Sequence, residues 1–283
     1  MLGSLMKRQL ILLANSIRSG QRCIGGREVI CDAHGNISGY GDWMRPVSQI
    51  GEGAVPNSYC QLQAPASRTM LPLDIVEINV LAASPDGVQN ENWILDIKTP
   101  PRLIATAPES TLLELKESPS DLWGMNSSSN NKVREDVIRA IPHTSMVLIC
   151  PEEVRFECYS ANYGGIPKTK RNVVFKYRDQ AYTLPCTDPT MDKRYYRSSS
   201  VVSYTQREWM HSVNHPAKST GNDSIRVFLP PDGVKCVLVI SLGHPFMGYC
   251  YKIVAGVHEV KRESLANASD YDPERNFDRG YNQ

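Results

Sequence analysis

The sequence has no bias of charge: 31 Lys and Arg face 30 Asp and Glu, a net charge of +1. A chain that binds nucleic acid by bulk attraction carries a strong positive excess, so any such binding here must use a local patch. Cys-x-x-Cys pairs are also missing. Cys23, Cys31, Cys60, Cys150, Cys158, Cys186, Cys236 and Cys250 stand apart, which argues against structural zinc. Several lie in apolar stretches such as Val147–Cys150 and Cys236–Ile240 and read as reduced core residues. Long apolar runs are absent too. Leu10–Ala14, after Lys7-Arg8, is shorter than a secretory core of about 7–15 residues, and no run approaches the ~20 of a membrane span. The expectation is a cytoplasmic protein, neither exported by that route nor embedded.

What is present is ordinary for a globular chain: 41% hydrophobic and 22% charged residues. At 283 residues the chain exceeds a typical domain of roughly 100–200, so two domains are expected, 1–142 and 143–262, with a polar tail over 263–283. The patterning is mostly β, with a few short helices. Leu10–Ala14 reads as a buried strand, Val29–Cys31 as a strand between glycine-rich turns, and Val76–Val80 alternates with period two. Ser145–Cys150 and Val154–Tyr159 are predicted to pair around Pro-Glu-Glu, and Asn172–Tyr177 with Gln180–Leu184 around Arg178-Asp179. Ile225–Leu229, Lys235–Leu242 and Tyr249–Val260 complete a run that suits a small barrel. Helix starts are expected at the capping-box patterns Thr111–Glu114 and Thr205–Glu208 and at Ser118-Pro119-Ser120-Asp121, and Val133, Val137, Ile138 and Ile141 share a helical face.

Three segments combine into the most specific pattern: Leu13-Ala14-Asn15-Ser16, Arg22-Cys23-Ile24-Gly25-Gly26, and Gly41-Asp42-Trp43-Met44-Arg45-Pro46-Val47-Ser48. Leu73–Val76 with Gln89–Trp93, and Ser241-Leu242-Gly243-His244-Pro245-Phe246 leading into Tyr251–Ala255, extend it. Together these segments resemble the bacterial dual OB-containing domain family over about residues 7–258, with Met44 and Gly25 as mild departures. The resemblance implies two OB-like barrels and nucleic-acid binding, in a phage-defence or DNA-modification setting, and assigns no catalytic residue.

On their own chemistry, Arg18, Arg22 and Arg45 offer guanidinium forks for phosphate, Trp43 a flat ring for a base, and Gly25-Gly26 backbone amides for an anion. The plainer reading puts Trp43 in the barrel core and pairs Arg45 with a carboxylate such as Asp42 or Glu52. A second cluster, Lys168, Lys170, Arg171, Lys176, Tyr177, Arg178 and then Lys193-Arg194-Tyr195-Tyr196-Arg197, interleaves cations with rings as single strands require. Lysines blunting a strand edge would give the same pattern. Asn15 and Asn92, the latter within Gln89–Trp93, are amides able to read base edges, although such turns also satisfy their own backbone.

His244, in its Gly-His-Pro-Phe turn, is a further ligand candidate, against the plainer role of a hydrogen-bonded turn residue. No catalytic constellation emerges: Ser16 and Cys23 lack an accompanying nucleophile motif, and Glu91 with Asp96 lacks a metal spacing. His211 and His215 lack a third ligand, so no metal or cofactor is expected. The expected role is a non-catalytic nucleic-acid-binding module for single-stranded DNA or RNA, a modified base included, serving as the recognition subunit of a bacterial defence or DNA-modification system whose enzyme is a separate chain. The alternatives are a nucleotide-processing enzyme and a protein-docking subunit.

Overall fold

The structure, a computed structural model, describes residues 5–124, 130–163, 166–196, 202–203 and 225–261. The first half contains β1 (Met6–Arg18), β2 (Gln21–Cys31), β3 (Ile37–Val47), β4 (Asp74–Ala83), β5 (Asn92–Leu95), β6 (Arg102–Thr106) and helix α1 (Thr111–Leu115). These strands run in the order β1-β2-β3-β5-β4-β6, and β1 also pairs with β4. The first five strands therefore close into a barrel, with β3 and β5 parallel, an OB-like arrangement without a free edge.

The second half contains β7 (Lys132–Arg134), α2 (Glu135–Arg139), β8 (Met146–Ile149), β9 (Glu153–Tyr163), β10 (Ile166–Tyr177), β11 (Gln180–Pro185), β12 (Val202–Ser203), β13 (Arg226–Phe228), β14 (Val234–Leu242) and β15 (Tyr249–Lys261). Two sheets result, β11-β10-β9-β13-β12 and β7-β15-β14-β8. They face each other across a core that includes Phe156, Phe175, Tyr182 and Leu238, and the bridge Cys186 to Val254 joins them. The chain is mostly β, as its patterning indicates.

The continuous apolar runs are strands with both faces buried. Leu10 and Leu12 point into the barrel with Ile24, Met44 and Val76. Ile11, Leu13 and Ala14 point the other way, onto Met146, Leu148, Val237 and Val239 of the second half. β14 alternates likewise: Leu238 and Ile240 face the core of its own half, Val237 and Val239 the barrel. The two halves thus share a middle layer. A bulge in β1 between Leu12 and Ala14 leaves the Leu13 carbonyl outside the β1–β2 ladder, and His258 Nε2 takes it at 2.8 Å. Gly256 stands beside the same carbonyl, 2.7 Å from where a Cβ would be, so only glycine lets β15 come this close.

Four sequence expectations are corrected. β8 pairs with β14, and β9 with β10 and β13, so the Pro-Glu-Glu turn joins strands of different sheets. All four residues of β8 are buried, and β14 supplies their ladder partners from Leu238 to Ser241. α1 starts at Thr111 with Ser110 before it, and no side chain caps it. Ser118–Asp121 forms no helix: Glu117 N donates to the Leu148 carbonyl, and the Asp121 carboxylate accepts from Gly124 N. The face from Val133 to Ile141 splits into β7, which pairs with β15, and the single turn of α2. The predicted hairpin around Arg178-Asp179 is present, with both residues at positive φ (46° and 62°) as a tight turn requires. Thr205–Glu208, His211, His215, Arg197 and the tail over 263–283 lie outside the described residues.

Candidate nucleic-acid interface

A cleft of about 500 Å³ opens where β1–β3 meet the turn after β14. Its wall carries Ser16, Arg18 and Cys23 from the first hairpin, Arg45 from β3, and His244 and Phe246 from the second half. Residues about 200 positions apart in the chain are therefore brought together because β1 and β15 pack side by side. Backbone bonds hold that seam: Ile17 N donates to Thr187 O at 2.9 Å, and Thr187 N to Val254 O at 2.9 Å.

Arg45 is not a free fork. It is 8% exposed, and its Nε and Nη2 each lie 3.3 Å from Glu91 Oε1. Nη2 also donates to Ser145 Oγ at 2.7 Å and Ser241 Oγ at 3.0 Å. Ser145 donates its hydroxyl and its backbone N–H to the Glu91 carboxylate. The guanidinium does pair with a carboxylate, but with Glu91 instead of the nearby Asp42 or Glu52, and the network ties both halves together beneath the cleft.

Arg18 is different. Its partner, Glu52, lies 3.2 Å away with its side chain 83% exposed, a pair that water screens and a ligand can displace. His244 is held neutral, since burial and the charges of Arg18 and Arg45 push its pKa down against the pull of Asp86. The base of the cleft thus holds a compensated Arg45–Glu91 pair and a neutral His244, and its rim carries the exposed Arg18–Glu52 pair.

A family model for the dual OB-containing domain matches residues 8–257. The chain belongs to the dual OB-containing domain family. Comparison with curated proteins gives no match.

Within this dual OB-containing chain the remaining candidates scatter. Trp43 is 4% exposed and donates its indole N–H to Glu117, so its ring lies in the layer between the halves. Asn15 gives its amide to Met70 O at 2.8 Å, and Arg22 bonds Asn57 at 3.0 Å beside the Arg22–Val55 backbone pair. Asn92 is 5% exposed, and Gln89 donates to Leu242 O at 2.9 Å, so this amide-rich turn serves the fold. Gly25 and Gly26 are buried against Met146 and the Ile11 carbonyl and present nothing to an anion.

The second cluster lies on other surfaces. Arg171 pairs with Asp192 at 2.5 Å, Arg194 with Glu259 at 3.5 Å, and Lys176 with Glu152 and Asp179. Tyr195 is buried against Phe156, with its hydroxyl on Glu259. Lys168 is exposed and Lys170 half-buried on β10. Phe246, inside the Gly-His-Pro-Phe turn, is a lining residue to which the sequence patterns above assign no role. An aromatic between Pro and Met-Gly, in a turn joining two buried strands, is the signal that marks it as exposed. The Ser145–Glu91–Arg45–Ser241 network had no local signal, because its members are separated by 46 to 196 positions.

Proposed function

We propose that this dual OB-containing chain is a non-catalytic module that binds single-stranded nucleic acid, DNA or RNA, in the cleft at the seam of its halves. It acts in the cytoplasm as the recognition subunit of a defence or DNA-modification system whose enzyme is another chain. One observation carries this reading: Ser16, Arg18 and Cys23 of the N-terminal segments and His244 of the distant turn share one cleft on an OB-like barrel. OB barrels bind strands by pairing cations with stacking rings, and a near-neutral chain must concentrate that chemistry locally.

The test is fluorescence anisotropy with labelled single-stranded DNA, single-stranded RNA and duplex DNA over a salt series. Single strands should bind with a salt-dependent affinity, and Arg18→Ala should reduce the salt slope by about one phosphate contact. Arg194→Ala, on the other surface, should leave it unchanged. Salt-independent binding, or none, would reject the reading in favour of a protein-docking subunit.

The enzyme alternative has one observation in its favour, since Ser16, Cys23 and His244 all line the cleft. The electrostatics oppose it. Burial pushes the Cys23 thiol up, away from the thiolate a nucleophile needs, and Ser16 spends its hydroxyl on the Cys23 carbonyl at 3.3 Å. Labelled mononucleotides should stay intact on incubation with the protein, and turnover abolished by Cys23→Ala would favour the enzyme.

A further inference from the structure

We propose that the cleft takes a single unstacked nucleotide, with the Phe246 ring as the stacking platform for its base and Arg18 as the contact for its phosphate. The inference rests on the nucleic-acid reading above and assigns the part of the ligand the cleft would hold.

Phe246 is 64% exposed, whereas Phe156, Phe175 and Phe228 are at most 4% exposed. The backbone beneath it is fixed. Phe246 and Tyr249 exchange both backbone hydrogen bonds, at 2.8 and 3.1 Å, and Met247 and Gly248 between them have φ of 51° and 78°. That is a tight two-residue hairpin turn. Below it, Gly243 N donates to Tyr251 O at 2.8 Å, and Pro245 restrains the entering chain. A ring with two torsions on such a base loses little freedom when a base covers it.

The charges sort the ligand. Glu91 compensates Arg45, and His244 and Cys23 are uncharged at neutral pH, so the interior suits an uncharged heterocycle. Ile24, Met146, Ile253 and Ala255 supply apolar contact, and Arg18 stands where a phosphate would remain in water. About 500 Å³ lies within the range of small-ligand pockets and leaves no room for a stacked run of bases.

The experiment is anisotropy with a short labelled single-stranded oligonucleotide, unmodified and with an abasic unit moved through each position in turn. One stacked base is worth ~1–3 kcal/mol, so Phe246→Ala should weaken binding roughly 5- to 150-fold with the salt slope unchanged. Phe246→Trp should restore it. In the wild type one abasic position should carry most of the loss, and Phe246→Ala should erase that position's effect. The thermal midpoint of Phe246→Ala should equal that of the wild type, because the side chain is largely in solvent. Full-strength binding by Phe246→Ala, or a flat abasic scan, overturns this inference and leaves the nucleic-acid reading standing. Absence of oligonucleotide binding by the wild type overturns both.

Discussion

At the residue scale, the buried charges divide into those that hold the fold and those that burden it. Arg45 and Glu91 lose hydration together and recover it through each other and two serines. Arg45→Ala leaves Glu91 uncompensated, so chemical denaturation should show a loss of ~3–5 kcal/mol, whereas Arg45→Met with Glu91→Leu should recover most of it. Lys252 has no such ion-pair partner among the described residues. It is fully buried, donates to Gly124 O at 2.7 Å, and burial lowers its pKa to about 8. Between about 8 and the ordinary ~10.4 the unfolded chain holds a proton that the folded chain has released. Stability from this group therefore rises with pH through that window, and the penalty is complete below it. The difference in melting temperature between wild type and Lys252→Met should favour the variant at pH 7 and shrink toward pH 10. His244 has the same sign at lower pH. Its depressed pKa means that its contribution to stability is kept above about pH 6.5 and lost on acidification.

At the scale of elements, the close approach of strands decides which glycines can change. A Cβ on Gly26 would stand 1.8 Å from the Ile11 carbonyl oxygen, across the β1–β2 pair that opens the barrel. Gly39, on β3, has nothing within 4 Å. Gly26→Ala should lose more than about 2 kcal/mol in urea titration, against a few tenths for Gly39→Ala. The same crowding explains why Arg22-Cys23-Ile24-Gly25-Gly26 is a packing element first. Its glycines admit Met146 and the β1 backbone, and its cysteine and arginine reach the surface only at the strand's start. The β-strand periodicity of Val76–Val80 and the turn residues Arg178-Asp179 were legible because they are local: alternation reflects one solvated face, and positive φ falls at the turn. The partners of β8 were not legible. Four consecutive apolar residues state that both faces are buried without stating against which strands.

At the scale of the molecule, the shared layer makes the halves interdependent. β7 lies before the expected junction at 142, yet it completes a sheet of the second half. Leu148, on β8, packs with Leu13 of β1 and Val239 of β14 in one cluster. Urea unfolding followed by tryptophan fluorescence and by circular dichroism should therefore coincide, and Leu148→Ala should shift both curves together. Two separated transitions would show that the halves fold independently. The sequence by itself determined the mostly-β class, the family, the runs of doubly buried strand and the turns, because periodicity, apolar content and backbone sterics act over a few neighbouring residues. It also placed Arg18 and His244 among the ligand candidates from side-chain chemistry. Only the tertiary structure decided that those two share a cleft, that Trp43 and Arg45 are held inside by Glu117 and Glu91, and that Phe246 stands at the rim. Burial and charge compensation belong to partners up to about 200 positions away, and no local pattern in a chain encodes which distant strand will cover a given face.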